Sequence, residues 1–345
     1  MTTISAPGTD RRSTRPAPGG LRGVVARNPL RTFAVLALGT SWLAWLPYIL
    51  SPHGLGIWDL HFPEVLGTAQ LSGVLPGALL GPVTAAFVVT AAADGRAGLR
   101  VWAGRLWRWR VRWQWYVTVL LGVPVLIVLS GLPFAGGVVH APSALALAAY
   151  VPALLLQVVT TGLAEEPGWR DFALPRLQGR FGPMRAALVL GPLWGLWHLP
   201  LFLTDWGGWP TAHWTQPLVF VGFCMAFTVV MSWVFNRSGE SLPLAVLLHV
   251  SVNTTASVLW SDMFPGIGAE TMLLALLITS TIGAVVIVVA TRGRLGYRGP
   301  VAGTAGRPGT GPAEDSASAV VAGTAPAAAP TPSASPLVDS SDGHR

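Results

Sequence analysis

The stretch Thr161-Gly-Leu-Ala-Glu165-Glu166-Pro167-Gly-Trp169-Arg170 ends a long apolar run that begins at Ser143. Two adjacent carboxylates at the edge of such a run are costly, because an ionisable group inside a bilayer costs about 2.5–3.5 kcal/mol even on lenient insertion scales. Glu166 and Arg170 lie four residues apart, so they can pair on one face of a helix. Glu165 points about 100° away and has no such partner.

Pro167 predicts that this helix kinks or ends at the carboxylates, because proline lacks an N–H and disfavours helical geometry at the preceding residue. An unpaired carboxylate held at a break in a membrane helix is a candidate general base. The alternative is a cytoplasmic helix end that carries a surface ion pair. The stretch alone leaves both interpretations open.

The composition indicates a membrane protein. Of the 345 residues, 52% are hydrophobic and only 11% are charged, and the mean hydropathy is +0.55, whereas a soluble domain carries about 25% charged residues. The apolar runs are long enough to cross a bilayer, and they predict an all-α fold with about eight transmembrane helices. The predicted spans are residues 32–50, 67–93, 115–132, 143–163, 186–203, 215–235, 242–260 and 270–290.

The flanking segments have a different composition. Residues 1–28 and 299–345 are rich in small and polar residues and in proline, and we interpret them as disordered cytoplasmic segments around a membrane domain of residues 29–298. The candidate catalytic motifs fall within residues 161–253. The one cysteine, Cys224, excludes an internal disulfide and a cysteine-rich metal site.

Arginine supplies all 22 basic residues, and its distribution predicts the orientation. Arginines occupy the N-terminal segment, the even-numbered connections and the start of the tail, whereas connections 51–66, 133–142, 204–214 and 261–269 contain none. The positive-inside rule then places both termini of a multi-pass protein in the cytoplasm, with the protein in the cytoplasmic membrane. The net charge of +7 does not indicate nucleic-acid binding, since these arginines flank apolar spans.

The second connection carries an amphipathic pattern. Leu99, Trp102, Leu106, Trp109 and Trp113 are spaced by three and four residues, with arginines largely on other faces. This pattern predicts a helix over residues 96–113 that lies on the inner leaflet and binds anionic lipid. A basic helix that binds a partner or nucleic acid is the less favoured alternative, because the segment is tied to the membrane at both ends.

Two histidines are the only acidic or basic residues well inside the predicted spans. His198 follows Trp194 by four residues, and His249 precedes Asn253 by four, so each pair shares a helix face. Either histidine could instead form a polar contact between helices. Simple counting places His198 and His249 deeper in the membrane than Glu165, so the site requires the fourth helix to seat its carboxylates deeper or the fifth to begin outside the hydrocarbon.

These side chains supply the groups that peptide hydrolysis by water requires. A Glu and a His can bind and deprotonate water, and a His and an Asn can stabilise the tetrahedral oxyanion. The G-x-S-x-G and His-Glu-x-x-His motifs are absent from the sequence. Zinc held by Glu165, His198 and His249 is compatible in ligand type, and the sequence does not decide between zinc and metal-free activation.

At these residues the chain resembles the CAAX protease and bacteriocin-processing family, also called the Abi family. The resemblance rests on Glu165-Glu166-x-x-x-Arg170, Trp194-x-x-x-His198 and His249-x-x-x-Asn253, in the family's order, and covers roughly residues 67–260. It implies an eight-helix intramembrane endopeptidase that acts on a membrane-associated protein or peptide.

The resemblance also implies a role for each residue. Glu165 and His198 would activate water, His249 and Asn253 would bind the oxyanion, and Glu166 and Arg170 would support the site. Trp194 stands where the family more often has Phe, a difference that we expect to be harmless. We expect the site to open toward the cytoplasm. Two other functions stay open: a non-catalytic membrane immunity or adaptor protein of the same fold, and a proton-coupled transporter.

Overall fold

The computed structural model describes residues 20–299 of the chain. Within this range 78% of the residues are helical and none forms a strand, which confirms the all-α class. Eight helices of this range are long and apolar enough to cross a membrane, as predicted. The helical segments are α1 (Gly20–Arg27), α2 (Pro29–Leu50), α3 (Gln70–Ala93), α4 (Gly95–Gly104), α5 (Trp113–Ala135), α6 (Ala144–Phe181), α7 (Pro183–Leu203), α8 (Gln216–Arg237), α9 (Leu242–Met263) and α10 (Ala269–Thr291).

Helix α6 is far longer than the predicted span. The sequence predicts a break at Pro167, whereas the helix continues to Phe181. Two π-helical turns, Val158–Gly162 and Pro167–Ala173, enclose a single α-helical turn, Leu163–Glu166. The wider π turn accommodates the proline, and Trp102 Nε1 donates to Pro167 O at 2.9 Å. The carboxylates therefore lie inside a continuous helix and not at its end.

The connections divide the helix ends into two faces. The arginine face comprises connections 94–112, 182 and 238–241 and residues 292–299. The arginine-free face comprises connections 51–69, 136–143, 204–215 and 264–268, which contain no arginine. Contacts within this second face join its connections: Asp205 N donates to His53 O at 2.8 Å, and Ser143 Oγ donates to Asp262 at 2.6 Å.

The predicted interfacial helix over residues 96–113 is only partly correct. Helix α4 ends at Gly104, a 3₁₀ turn follows over Arg105–Trp107, and residues 108–112 are not helical. Arg105 turns inward and binds Asp171 at 2.6 Å and Glu240 at 2.9 Å. Burial lowers the pKa of the Arg105 guanidinium, but these two carboxylates outweigh burial and leave that pKa above its usual value. Arg105 therefore pairs with the buried Asp171 inside the protein, whereas the sequence pattern predicts that this arginine contacts lipid.

Glycines let α7 and α8 pack closely. A Cβ on Gly195 would lie 2.9 Å from the Val221 backbone, and one on Gly191 would lie 2.5 Å from Met225 Cα. Small residues at four-residue spacing are a common way for membrane helices to approach each other. This contact fixes the helix that carries Trp194 and His198 against the centre of the bundle.

The predicted disordered segments fall mainly outside the described residues. Residues 1–19 and 300–345 lie outside the described range. The last part of the predicted N-terminal segment, Gly20–Arg27, is helical instead, and Arg22 Nε donates to Ala92 O at 3.1 Å.

Candidate active site

A cavity of about 1170 Å³ lies among α3, α6, α7, α8, α9 and α10. The four predicted catalytic side chains, Glu165, His198, His249 and Asn253, all line it. The length of α6 resolves the difference in depth that the sequence left open, because Glu165 lies 16 residues before the last residue of this helix, Phe181. The helix therefore extends for about four turns beyond the carboxylates.

Glu165 has a partner that the sequence does not predict. Its side chain is buried, and Trp194 Nε1 donates to its Oε2 at 2.7 Å. The indole also lies against both imidazoles, with ring centroids 5.9 Å from His198 and 5.3 Å from His249. Trp194 is thus the common neighbour of three predicted catalytic side chains. A phenylalanine there would keep the ring and lose the donor.

Glu166 is fully buried and is not one of the residues that line the cavity. His249 Nδ1 donates to its Oε1 at 2.8 Å, and the predicted pair with Arg170 is present at 3.3 Å from Nη1 to the same oxygen. A second contact of 3.3 Å, from Arg170 Nε to Oε2, lacks hydrogen-bond geometry. The guanidinium also lies 4.2 Å from the centre of the Trp194 ring, a cation–π contact. Glu166 therefore joins Arg170 to His249, a link that the sequence does not predict.

His198 has a defined tautomer when neutral. Its Nδ1 lies 3.0 Å from the backbone carbonyl of Trp194, and a carbonyl can only accept, so Nδ1 carries the proton. The lone pair of the neutral ring is then on Nε2. Trp206 stacks on the imidazole with centroids 5.6 Å apart, and Trp197 and Phe220 meet it edge-on. This aromatic surround fixes the ring plane.

His249 and Asn253 face each other along one side of α9, as their spacing predicts. Asn253 Nδ2 lies 3.4 Å from His249 Nε2. Because His249 Nδ1 donates to Glu166, its Nε2 donates outward only when the ring carries a second proton. The Glu166 carboxylate is placed to stabilise that imidazolium.

The predicted zinc ligands do not form a metal-binding cluster. Among residues 20–299, no three His, Cys, Asp or Glu side chains are arranged to hold a metal ion. Both ring nitrogens of His249 already contact protein groups, at Glu166 and Asn253. Cys224 is buried in α8. The choice between zinc and metal-free activation, which the sequence leaves open, therefore stays open.

The cavity opens on the arginine-free face. Residues of connections 51–69, 204–215 and 264–268 line it, whereas no described residue of the arginine face does. The sequence predicts both a cytoplasmic arginine face and a site that opens toward the cytoplasm, and this combination is wrong. The reason is that counting along the predicted span places Glu165 at the arginine end of the fourth helix, which the true extent of α6 does not support.

Comparisons with known proteins agree with the motifs. A model of the family described as type II CAAX prenyl endopeptidase Rce1-like matches residues 147–255. CAAX prenyl protease 2 of Methanococcus maripaludis is 25% identical over 147 residues, which cover 41% of this chain and 51% of that protein. The chain thus matches about half the length of this curated relative. The match confirms the family resemblance drawn from the motifs, and its residues include all four predicted catalytic side chains.

Proposed function

We propose that this multi-pass membrane protein is an intramembrane endopeptidase that hydrolyses a peptide bond of a membrane-associated protein, in keeping with the match of residues 147–255 to the Rce1-like endopeptidase family. The observation that carries the proposal is the position of Glu165, His198, His249 and Asn253 on the wall of one cavity within the helix bundle. A carboxylate and two imidazoles inside a membrane protein are expensive and by default functional.

Glu165 and His198 are the water-activating groups in this proposal. A water bound between the Glu165 carboxylate and His198 Nε2 gives up a proton to the Glu165 carboxylate as its oxygen attacks the carbonyl carbon of the substrate. The C–O bond forms, the carbonyl π electrons move to the oxygen, and the collapsing intermediate breaks the C–N bond. The proton taken from the water is then delivered to the leaving nitrogen. Trp194 holds the carboxylate by the 2.7 Å hydrogen bond to Oε2.

His249 and Asn253 are the oxyanion donors. The His249 imidazolium, stabilised at Nδ1 by Glu166, presents Nε2–H to the developing negative charge, and the Asn253 amide supplies the second donor. Arg170 pairs with Glu166 at 3.3 Å. Glu166 and Arg170 thus act through His249 and not on the substrate.

The test compares cells that express the natural chain with cells that express each variant. The measurement is the amount of new protein termini that peptide-bond cleavage produces in their membranes. Glu165→Gln retains an acceptor for Trp194 but is not a base, and His198→Ala removes the second group. We expect the termini of cleaved membrane proteins to be present with the natural chain and missing with both variants. Glu64→Gln is the matched control, because Glu64 is exposed and does not itself line the cavity. Unchanged termini in a folded Glu165→Gln protein would refute hydrolysis at this site and favour the adaptor function.

We also propose that the protein lies in the cytoplasmic membrane with both termini inside. The support is the segregation of arginine to one face of the described bundle. On that face Arg96 and Arg100 are exposed, as are Trp107, Trp109 and Trp113. This surface suits anionic lipid headgroups, and Arg96→Gln with Arg100→Gln should lower the amount of anionic lipid retained by the purified protein.

A further inference from the structure

The cavity is confined to one half of the bundle along the membrane normal. Consecutive spans run in opposite directions, so the half next to the arginine-free face contains the first residues of α3, α8 and α10 and the last residues of α7 and α9. The cavity is lined by residues 70–78 of α3, 216–227 of α8, 269–276 of α10, 194–202 of α7 and 249–258 of α9, in each case with gaps. The catalytic side chains lie at its inner end, near mid-bundle.

The mouth is built from connections of the arginine-free face. Leu66 and Thr68 come from connection 51–69, residues 205–212 come from connection 204–215, and Gly268 begins α10. No described residue of connections 94–112, 182 or 238–241 takes part in the lining. A substrate that reaches Glu165 through this cavity therefore enters from the arginine-free face.

The path is also acidic. Asp205 and Glu270 lie at the mouth and Glu165 lies at the inner end, and none of the described lining residues is an arginine. Asp205 accepts from Tyr48 Oη at 2.5 Å and lies 3.1 Å from His53 Nδ1. These partners leave its charge uncompensated by any permanent cation.

Glu270 is in the same situation. It accepts a backbone N–H from His213 at 2.7 Å, and no arginine of the described chain pairs with it. The arginine-free face carries a further exposed carboxylate at Asp59 and a half-buried one at Asp262. A cleft whose mouth carries one sign of permanent charge concentrates ligands of the opposite sign.

We propose that the substrate is a positively charged peptide segment of a membrane-anchored protein, displayed on the extracytoplasmic side, which enters the cavity between Asp205 and Glu270. The substrate class rests on the proposed endopeptidase function and on the cytoplasmic position of the arginine face. The charge preference rests on the cavity alone, and the extracytoplasmic route rests on the cavity together with the position of the arginine face. A cytosolic C-terminal segment would meet the closed, arginine-rich face instead.

Sidedness is tested with single cysteines in a Cys224→Ala background. Thr211→Cys reports the mouth, Ala256→Cys reports the interior one turn beyond Asn253, and Ser238→Cys is the matched control on the arginine face. Intact cells are treated with a membrane-impermeant methanethiosulfonate, and unreacted cysteines are counted after lysis. We expect reaction at Thr211→Cys and Ala256→Cys and none at Ser238→Cys. Reaction of Ala256→Cys only in opened cells would overturn the route.

Charge preference is tested at the same interior cysteine with a trimethylammonium reagent and a sulfonate reagent. We expect the cationic reagent to react with Ala256→Cys at least about tenfold faster, after correction for their rates with a free thiol. Asp205→Asn combined with Glu270→Gln should reduce this preference, and so should high salt. Equal corrected rates in the unaltered mouth would overturn the cationic substrate. If Ala256→Cys does not fold, Gln157→Cys on α6 lines the same cavity and takes its place.

The two proposals can fail separately. The labelling measurements need no hydrolysis, so they can be repeated in Glu165→Gln. If external labelling occurs as expected and the new termini do not depend on Glu165, the endopeptidase function is wrong and the route stands. If the termini depend on Glu165 and Ala256→Cys reacts only from the cytoplasmic side, the function stands and the route is wrong. If modification of Ala256→Cys from outside the cell stops the formation of new protein termini, the result would support both the endopeptidase function and the route.

Discussion

Replacement of Trp194 by phenylalanine removes one hydrogen-bond donor from the candidate site and keeps an aromatic ring in place. The indole Nε1 lies 2.7 Å from Glu165 Oε2, and both side chains are buried, at 2% and 4% exposure. The backbone carbonyl that orients His198 belongs to the same residue and is unaffected by the substitution. The variant therefore tests whether the position of Glu165 limits hydrolysis.

The expected loss follows from the strength of this bond. A hydrogen bond to a charged group contributes about 1.5–3 kcal/mol, and each 1.36 kcal/mol of transition-state stabilisation is a factor of about ten in rate. If the bond holds the carboxylate in the reactive position, Trp194→Phe should slow cleavage about ten- to a hundredfold. The cation–π contact with Arg170 weakens but persists, because phenylalanine also presents a ring face.

The assay measures the rate at which a cleaved membrane protein loses its intact form in cells, or in liposomes once a substrate is known. Trp260→Phe is the matched control: Trp260 is also buried, and its Nε1 donates to Ile267 O at 3.0 Å. This control undergoes the same chemical change at a connection that does not include Glu165. Thermal melts of both purified variants show whether either is merely unstable.

A folded Trp194→Phe protein with the full rate would refute the reasoning. It would mean that Glu165 keeps its reactive position without the indole donor, and that the substitution is as harmless as the family resemblance implies. A loss of rate equal to that of Trp260→Phe would refute it as well, since the effect would then follow from lost packing.

Three further predictions concern packing, charge burial and metal. Gly168→Ala should lower the melting temperature, because its Cβ would lie 2.6 Å from Pro82 O and overpacking costs about 1–3 kcal/mol. Gly104→Ala is the control, because a Cβ on Gly104 meets nothing within 4 Å. Arg105→Met should lower the free energy of unfolding by about 3–5 kcal/mol, because it leaves the buried Asp171 without its cation. Arg105→Met combined with Asp171→Asn should recover part of that loss, as measured by thermal melts in detergent. A chelator should leave the cleavage rate unchanged, and loss of activity that zinc restores would contradict the metal-free mechanism.

The sequence by itself determined the features that depend on local periodicity. Apolar runs of sufficient length give the eight spans, and residues four apart share a helix face whatever the helix packs against. The Glu166–Arg170 pair and the His249–Asn253 pair therefore follow from spacing, and both are present. The arrangement of arginine on alternate connections is likewise a property of the chain order.

Only the tertiary structure decided which faces meet. Trp194 and Glu165 are 29 residues apart, and His249 and Glu166 are 83 apart, so their contacts depend on how α6, α7 and α9 are rotated against each other. The π turns on either side of the carboxylates change that rotation, and the sequence pattern does not encode them. The side on which the cavity opens depends on where the helices diverge. This divergence is a property of the packed bundle, because the space beside one helix is set by the positions of its neighbours.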